Sequence, residues 1–263
     1  MIFLPLIVFV FGLFIGSFLN VVILRMNTGR SAVTGRSKCA RCSRVLSWYE
    51  LLPVVSFLGL RGKCRTCTMK ISFQYPLVEL TTAIVFTILY TQFGLGGFLT
   101  TNALISFLYS CVVAGVLIVI FAYDLRHKII PDTTNYLFIV LGLLSIVWHA
   151  FMTDGFLVGN AIVSGVALAL PFFLLWFFSK GKLMGFGDVK LALGMGWLLG
   201  LGMGFAAVLL AFWIGAIVGL FLLAVSKKHS MTSQIPFAPF LIIGTFIAGV
   251  WGVRVVDIIG VWL

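Results

Sequence analysis

The chain has 263 residues, of which 62% are apolar and only 10% are charged, with a net charge of +11. Water-soluble domains carry roughly 25% charged residues, and the alternating strand pattern of an outer-membrane barrel is absent. The composition therefore excludes an ordinary soluble domain and predicts an all-α polytopic membrane protein.

Eight apolar stretches, separated by short connections, predict about eight transmembrane helices. They cover residues 2–24, 76–93, 103–123, 132–151, 156–178, 189–201, 204–225 and 237–258. The first basic residue, Arg25, follows the first stretch, whereas a signal peptide carries its positive charge ahead of the apolar run. We therefore expect a retained helix in which Gly12, Gly16 and Asn20 share one face, with Asn20 bonding across a helix contact. The sixth stretch is short and glycine-rich, so we expect it to tilt or dip.

Basic residues are concentrated in every second connection, and these connections hold 17 of the 18 Lys and Arg side chains. They are residues 25–75, 124–131, 179–188 with Lys190 just beyond, and 226–236. The positive-inside rule places them in the cytoplasm and both termini outside. The loop 25–75 has a surface suited to anionic lipid. It lacks a regular aromatic platform, so we expect no nucleic-acid partner.

Four cysteines of this loop form two Cys-x-x-Cys pairs separated by 21 residues. They are Cys39, Cys42, Cys64 and Cys67. Four thiolates around one tetrahedral ion are typical of a structural zinc site. Two disulfides or a redox pair are the alternatives, but thiols stay reduced on the cytoplasmic side. The loop is too short for a substantial core, so the metal would supply folding energy.

Two carboxylates lie at the ends of apolar stretches that the topology brings to one membrane face. Asp124 ends the third stretch, and Asp188 opens the sixth. An ionised group in the bilayer centre costs about 2.5–3.5 kcal/mol on insertion scales, so such residues usually face protein or water. Two close carboxylates share one proton, so one can activate water while the other donates to a scissile carbonyl. Gly185 and Gly187 would let a substrate backbone approach.

The residues alone leave alternatives open. Asp188 could simply cap the sixth helix, with Lys190 as a neighbour. Asp132 is suited to cap the fourth helix, and spacing does not choose between Asp124 and Asp132 as the partner of Asp188. Glu79 could cap a helix or reach the cysteine loop.

Seven motifs occur in order along nearly the whole chain. They are GSFLNVVILR (16–25), the paired Cys-x-x-Cys motifs, WYELLPVVSFLGLRGKC (48–64), ISFQYPLVEL (71–80), DLRHKIIPD (124–132), GFGDVKLA (185–192) and IPFAPFL (235–241). Together they resemble the type IV prepilin peptidases, bifunctional membrane enzymes that also process type II secretion pseudopilins.

The resemblance implies a Gly-x-Gly-Asp aspartyl protease whose catalytic pair is Asp124 and Asp188. Such enzymes cut the basic leader from prepilins at the cytoplasmic face of the bacterial inner membrane. They then N-methylate the new N-terminal residue, usually phenylalanine, with S-adenosylmethionine. The supporting motif positions are Gly185, Gly187, Lys190 and Asp132.

For methyl transfer, the resemblance points to the four cysteines and Gly62. We add Glu50 and Glu79 as our own candidates for methyl transfer or substrate binding. Leu51 stands where the family commonly has Asn, which weakens the methyltransferase assignment slightly. Ala238 stands where the family commonly has Gly, and we expect only local packing to change.

The topology and the resemblance together divide the chain into three parts. These are a first helix at 1–24, a cytoplasmic zinc loop associated with methyl transfer at 25–75, and a seven-helix protease domain at 76–263. Two rival functions are a proton-coupled transporter and a membrane-anchored zinc adaptor. Against the transporter, no inverted repeat is apparent, and the acidic residues gather at one face rather than at the midplane.

Overall fold

The computed structural model describes residues 3–29, 31–93, 100–225 and 236–260. Within those ranges the secondary structure is helical, apart from two isolated β-bridges, Lys38–Val45 and Lys63–Lys70. The helices are α1 (Phe3–Arg25), α2 (Val55–Gly59), α3 (Gln74–Gln92), α4 (Thr101–His127), α5 (Asp132–Met152), α6 (Val158–Ser179), α7 (Phe186–Val225), α8 (Ala238–Trp251) and α9 (Val255–Ile259), with a 3₁₀ turn at Trp48–Leu51. The chain forms two compact units, Met1–Ala122 and Tyr123–Leu263.

In the described part of the chain, five helices are long and apolar enough to cross a membrane, namely α1, α4, α5, α6 and α7. Helix α8 is apolar but shorter, and α3 is the least apolar of the long helices. The prediction of an all-helical, polytopic membrane protein is confirmed. The number of eight spans stays a prediction. The connections expected at 94–102 and 226–236 fall mostly outside the described residues, as does Ile235 of the IPFAPFL motif.

The first unit is organised around the contact between α1 and α3. Gly12 and Gly16 bring the two backbones together, because a Cβ at either position would lie 2.6 Å from a Cα of α3. The buried Asn20 amide donates to the carbonyl oxygens of Tyr75, at 3.1 Å, and Gly16, at 3.3 Å. Small residues and a polar bridge are the usual means of helix association in lipid. The predicted small-residue face with Asn20 bonding across it is confirmed.

The second unit is organised around α7, which packs against α5, α6 and α8. A continuous helix of 40 residues would be about 60 Å long, twice the thickness of the hydrocarbon core. The helix is interrupted at Gly200, where φ is 72° and ψ is 178°. This break divides α7 into a shorter segment, 186–199, and a longer one, 201–225. The two segments correspond to the sixth and seventh apolar stretches.

Glycines of the shorter α7 segment account for its close approach to α5 and α6. A Cβ on Gly194 would collide with the ring of Phe138 in α5, and one on Gly196 would lie 2.6 Å from Cα of Gly165 in α6. The glycine-rich sequence of this stretch is therefore a packing requirement between helices. The same close packing places Asp188, at the start of α7, beside the first turn of α5.

We expect Gly196→Ala to lower the stability of the second unit by about 1–3 kcal/mol, because the added methyl group meets backbone that cannot move aside. Gly202→Ala is the matched control, since a Cβ there would meet nothing within 4 Å. Thermal unfolding in detergent measures the difference between the two variants. Equal midpoints for Gly196→Ala and Gly202→Ala would contradict this view of the α6–α7 contact.

Candidate active site and metal centre

The four predicted metal ligands lie together in the first unit. The Sγ atoms of Cys39, Cys42, Cys64 and Cys67 all lie within 4.8 Å of one another. Those of Cys39 and Cys67 are 3.7 Å apart, close to the separation of about 3.8 Å that tetrahedral Zn–S bonds of about 2.3 Å require. The four residues are free thiols rather than disulfides. The prediction that they gather into one cluster able to hold a metal is confirmed.

The two Cys-x-x-Cys segments have the same backbone hydrogen bonds. In the first, the N–H of Cys39 donates to the carbonyl of Arg44 at 2.9 Å, and Ser43 N–H donates back to Cys39 at 3.0 Å. In the second, Cys64 N–H donates to Met69 at 2.8 Å, and Thr68 N–H donates to Cys64 at 3.0 Å. Ser43 and Thr68 both have φ of 54°. The loop thus presents its thiols on two equivalent knuckles, which is why the spacing alone identified them.

Backbone N–H groups point at the first sulfur of each knuckle. Those of Cys42 and Arg41 lower the pKa of Cys39 below its ordinary value. Those of Cys67 and Thr66 lower the pKa of Cys64 to about 6. Because a metal ligand must be a thiolate, these N–H groups favour the metal-binding form of Cys39 and Cys64.

Glu50 is bonded within the cysteine loop. Its side chain is only 1% exposed, and Oε1 lies 2.5 Å from Nη2 of Arg44. Oε2 accepts a hydrogen bond from the backbone N–H of Ser47 at 2.9 Å. Arg44, and then Ser47, lower the pKa of Glu50 below its ordinary value. Sequence reasoning missed Arg44 as its partner, and the suggested role of Glu50 in methyl transfer stays a prediction.

Glu79 and Gly62 hold the backbone of the same loop. Oε2 of Glu79, near the start of α3, accepts a hydrogen bond from Val54 N–H at 2.7 Å. The sequence left open whether Glu79 caps a helix or reaches the cysteine loop, and this hydrogen bond shows that it reaches the loop. Val54 has φ of 60°, which is rare for a β-branched residue. Gly62 has φ of 67°, and a Cβ there would press on the Phe57 ring at 3.1 Å. Glu79 therefore holds the backbone at Val54, and Gly62 lets the backbone turn beside the Phe57 ring.

A cavity of about 240 Å³ lies between the 3₁₀ turn and α2. It is lined by Tyr49, Glu50, Val55, Ser56, Gly59 and Leu60. Sites that enclose a drug-sized ligand measure about 300–1,000 Å³. This cavity is therefore too small to enclose the whole of S-adenosylmethionine.

The two predicted acids meet within the second unit. Asp124 lies in the last turn of α4 and is buried, with 4% of its surface exposed. Asp188 lies in the first turn of α7 and is half-buried. The two carboxyl groups are close enough to interact electrostatically. One buried and one half-buried carboxyl thus lie at the ends of two apolar helices, and a pair of this kind can hold and exchange a proton.

Asp188 also has a local task in α7. Its carboxylate interacts with backbone N–H groups at the start of the helix, including that of Gly185. An acid in the first turn stabilises a helix in this way. Capping and proximity to Asp124 therefore coexist at Asp188, and the first does not exclude the second.

Asp132 is engaged with Lys190 rather than with the end of its own helix. The N-cap of α5 is Pro131, and no side chain caps it, so the expectation that Asp132 caps this helix is wrong. Oδ1 of Asp132 accepts a hydrogen bond from Lys190 Nζ at 2.7 Å, and Lys190 also donates to the Tyr136 hydroxyl at 3.1 Å. This pair ties α5 to α7 two residues beyond Asp188.

Comparisons with known proteins match most of the chain. Residues 10–93 match the Bacterial Peptidase A24 N-terminal domain, and residues 111–220 match the Type IV leader peptidase family. A relative from Aeromonas salmonicida (strain A449) is 31% identical over 93% of this chain and 90% of its own length. The chain belongs to the type IV leader peptidase family.

Other members of the family are similar in extent. A relative from Bacillus subtilis (strain 168) is 30% identical, covering 95% of this chain and 96% of the relative. A relative from Myxococcus xanthus (strain DK1622) is 35% identical over 84% of this chain, and the match spans 63% of that relative. Each of the three is named Prepilin leader peptidase/N-methyltransferase. No solved structure matches the chain.

Proposed function

We propose that this chain removes the basic leader from type IV prepilins and pseudopilins and N-methylates the new N-terminal residue. The observation that carries the cleavage part of the proposal is that the carboxyls of Asp124 and Asp188, at the ends of two different helices, lie close enough to interact electrostatically. Membership of the type IV leader peptidase family, whose relatives bear both activities in their names, supports the same conclusion.

Cleavage follows from the chemistry of such a pair. The ionised carboxylate takes a proton from water, whose oxygen bonds to the scissile carbonyl carbon while the protonated carboxyl donates to the carbonyl oxygen. The tetrahedral intermediate then collapses, the C–N bond breaks, and the leaving nitrogen takes a proton from the pair. Asp188 is the more exposed of the two and would face the substrate, whereas Asp124 would be shielded from bulk water.

The substrate geometry is consistent with a site at the membrane edge. A prepilin has an apolar helix preceded by a basic leader, so its helix would lie in the lipid and its leader in water. The scissile bond would then sit at the depth where α4 ends and α7 begins. We assign this edge, the cysteine loop and the other basic connections to the cytoplasm of a bacterium, with both termini on the opposite side.

The division into a first helix, a zinc loop at 25–75 and a protease domain at 76–263 belongs to this proposal. Zinc, held by the four cysteines, would be structural, since all four positions of a tetrahedral ion are filled by protein. S-adenosylmethionine would supply the methyl group. Gly62, Glu50 and Glu79 would shape the loop on which methyl transfer depends.

Incubation of the purified protein with a synthetic prepilin, with and without S-adenosylmethionine, tests both activities. Mass spectrometry should show loss of the leader in both reactions. It should show a further gain of one methyl group, about 14 Da per chain, only when the methyl donor is present. An uncut peptide in both reactions would overturn the proposal.

A further inference from the structure

The beginning of α5 contacts the turn that carries Asp188. Nδ2 of Asn135 donates to the carbonyl oxygen of Gly187 at 2.8 Å. Ile130 lies against Gly187, where an added Cβ would be 3.1 Å from the Ile130 Cβ. Asn135 is completely buried, so its hydrogen bond to Gly187 is shielded from competition by water.

The acceptor of this hydrogen bond has a specific place in the chain. The Gly187 carbonyl belongs to the peptide group whose nitrogen is that of Asp188. Fixing the carbonyl therefore fixes the peptide plane from which the Asp188 side chain extends. Glycine restricts its own backbone less than any other residue, so a turn containing Gly185 and Gly187 needs an external partner to hold one conformation.

The Asn135 amide is committed to this one contact. Among the described residues its Oδ1 is buried without a hydrogen-bond partner. The backbone N–H of Asn135 donates a separate hydrogen bond to the carbonyl oxygen of Pro131, at the start of the same helix, at 3.1 Å. A buried side-chain amide with an unsatisfied acceptor is costly, and such groups are retained where the contact they do make matters.

We infer that Asn135 is a positioning residue for leader cleavage, acting through the Gly187 carbonyl to hold Asp188 in register with Asp124. This inference rests on the proposed function of the acid pair. The sequence pattern did not single out Asn135. Nothing in the spacing links position 135 to position 187, which lies 52 residues further along.

The test compares Asn135→Ala and Asn135→Leu with two controls. Thr134→Ala removes the neighbouring buried side chain, whose hydroxyl bonds only to Pro131 of its own turn in the described contacts, at 2.9 Å. Asn20→Leu removes another buried asparagine that bridges two helices, in the first unit. The four variants are measured as full-length protein for kcat and KM of leader cleavage and for thermal unfolding.

Misplacement of a catalytic group by about 1 Å costs ~100-fold in rate. We therefore expect both Asn135 variants to lower kcat by ~100-fold and to leave KM within about threefold, because substrate binding is untouched. Their unfolding midpoints should match that of Asn20→Leu, which retains its kcat. A kcat loss no greater than that of Thr134→Ala or Asn20→Leu would overturn the inference. A kcat loss in Asn135 variants whose unfolding midpoints fall well below that of Asn20→Leu would also overturn it.

The failure of this inference is separable from failure of the proposed function. If Asp188→Asn still cuts the leader, the acid pair is not the catalytic site and the proposed function fails. If Asp188→Asn is inactive while the Asn135 variants behave like Thr134→Ala, only the positioning role fails.

Discussion

Asp124→Asn and Asp188→Asn should each lower the rate of leader cleavage by ~10²–10⁴-fold, because proton transfer by a positioned group contributes that much to the rate. An amide has the shape of the acid but can neither take a proton from water nor donate one to the carbonyl at neutral pH. Mass spectrometry of a synthetic prepilin, over a time course at saturating substrate, measures the loss. Metal content should stay unchanged, because neither acid lies in the cysteine cluster.

The double variant sharpens this prediction. In the proposed mechanism the two carboxyls act as one unit, so the double variant Asp124→Asn with Asp188→Asn should be no less active than either single variant. Asp132→Asn is the matched control, since Asp132 is also an acid at the end of an apolar helix but is 68% exposed and paired with Lys190. Because Asp132 itself is exposed to solvent, its ion pair contributes little, and this variant should retain most of its activity. Activity surviving in either single catalytic variant would eliminate the dyad.

The features that the sequence predicted correctly depend on local spacing. Each Cys-x-x-Cys pair is closed by hydrogen bonds within six residues, so its shape follows from its own segment. The face formed by Gly12, Gly16 and Asn20 follows from the helical repeat, and the membrane class follows from the length of the apolar runs. In each case the determining contacts are near in sequence, or the periodicity itself identifies the buried face.

The contacts that could not be predicted from the sequence join residues on different helices. Asp132 bonds to Lys190 and Asn135 to Gly187, more than 50 residues away. Helical periodicity tells which face of α5 is buried but not which residue of α7 lies opposite it. Glu79 is similar, since its position left both a helix cap and the loop open until the Val54 contact decided between them.

Cys64→Ser should release the bound metal and abolish methyl transfer, while leader cleavage falls much less. Cys64 is the most buried of the four ligands, and its loop has too few residues to fold around an apolar core. The acid pair belongs to the other compact unit and does not need the metal for proton transfer. Metal per chain is measured by elemental analysis, and both activities are measured by mass spectrometry on one prepilin.

Cys111→Ser is the matched control for this variant. Cys111 is equally a buried free thiol, but it lies in α4 outside the four-sulfur cluster. It should therefore retain full metal content and full methyl transfer. Extraction of the metal from the unmodified protein with a chelator should reproduce the Cys64→Ser result, and zinc restored to that sample should recover methylation. Metal that remains bound at one ion per chain in Cys64→Ser would contradict the four-thiolate site, and methylation that survives metal loss would separate the methyl-transfer site from the cysteine loop.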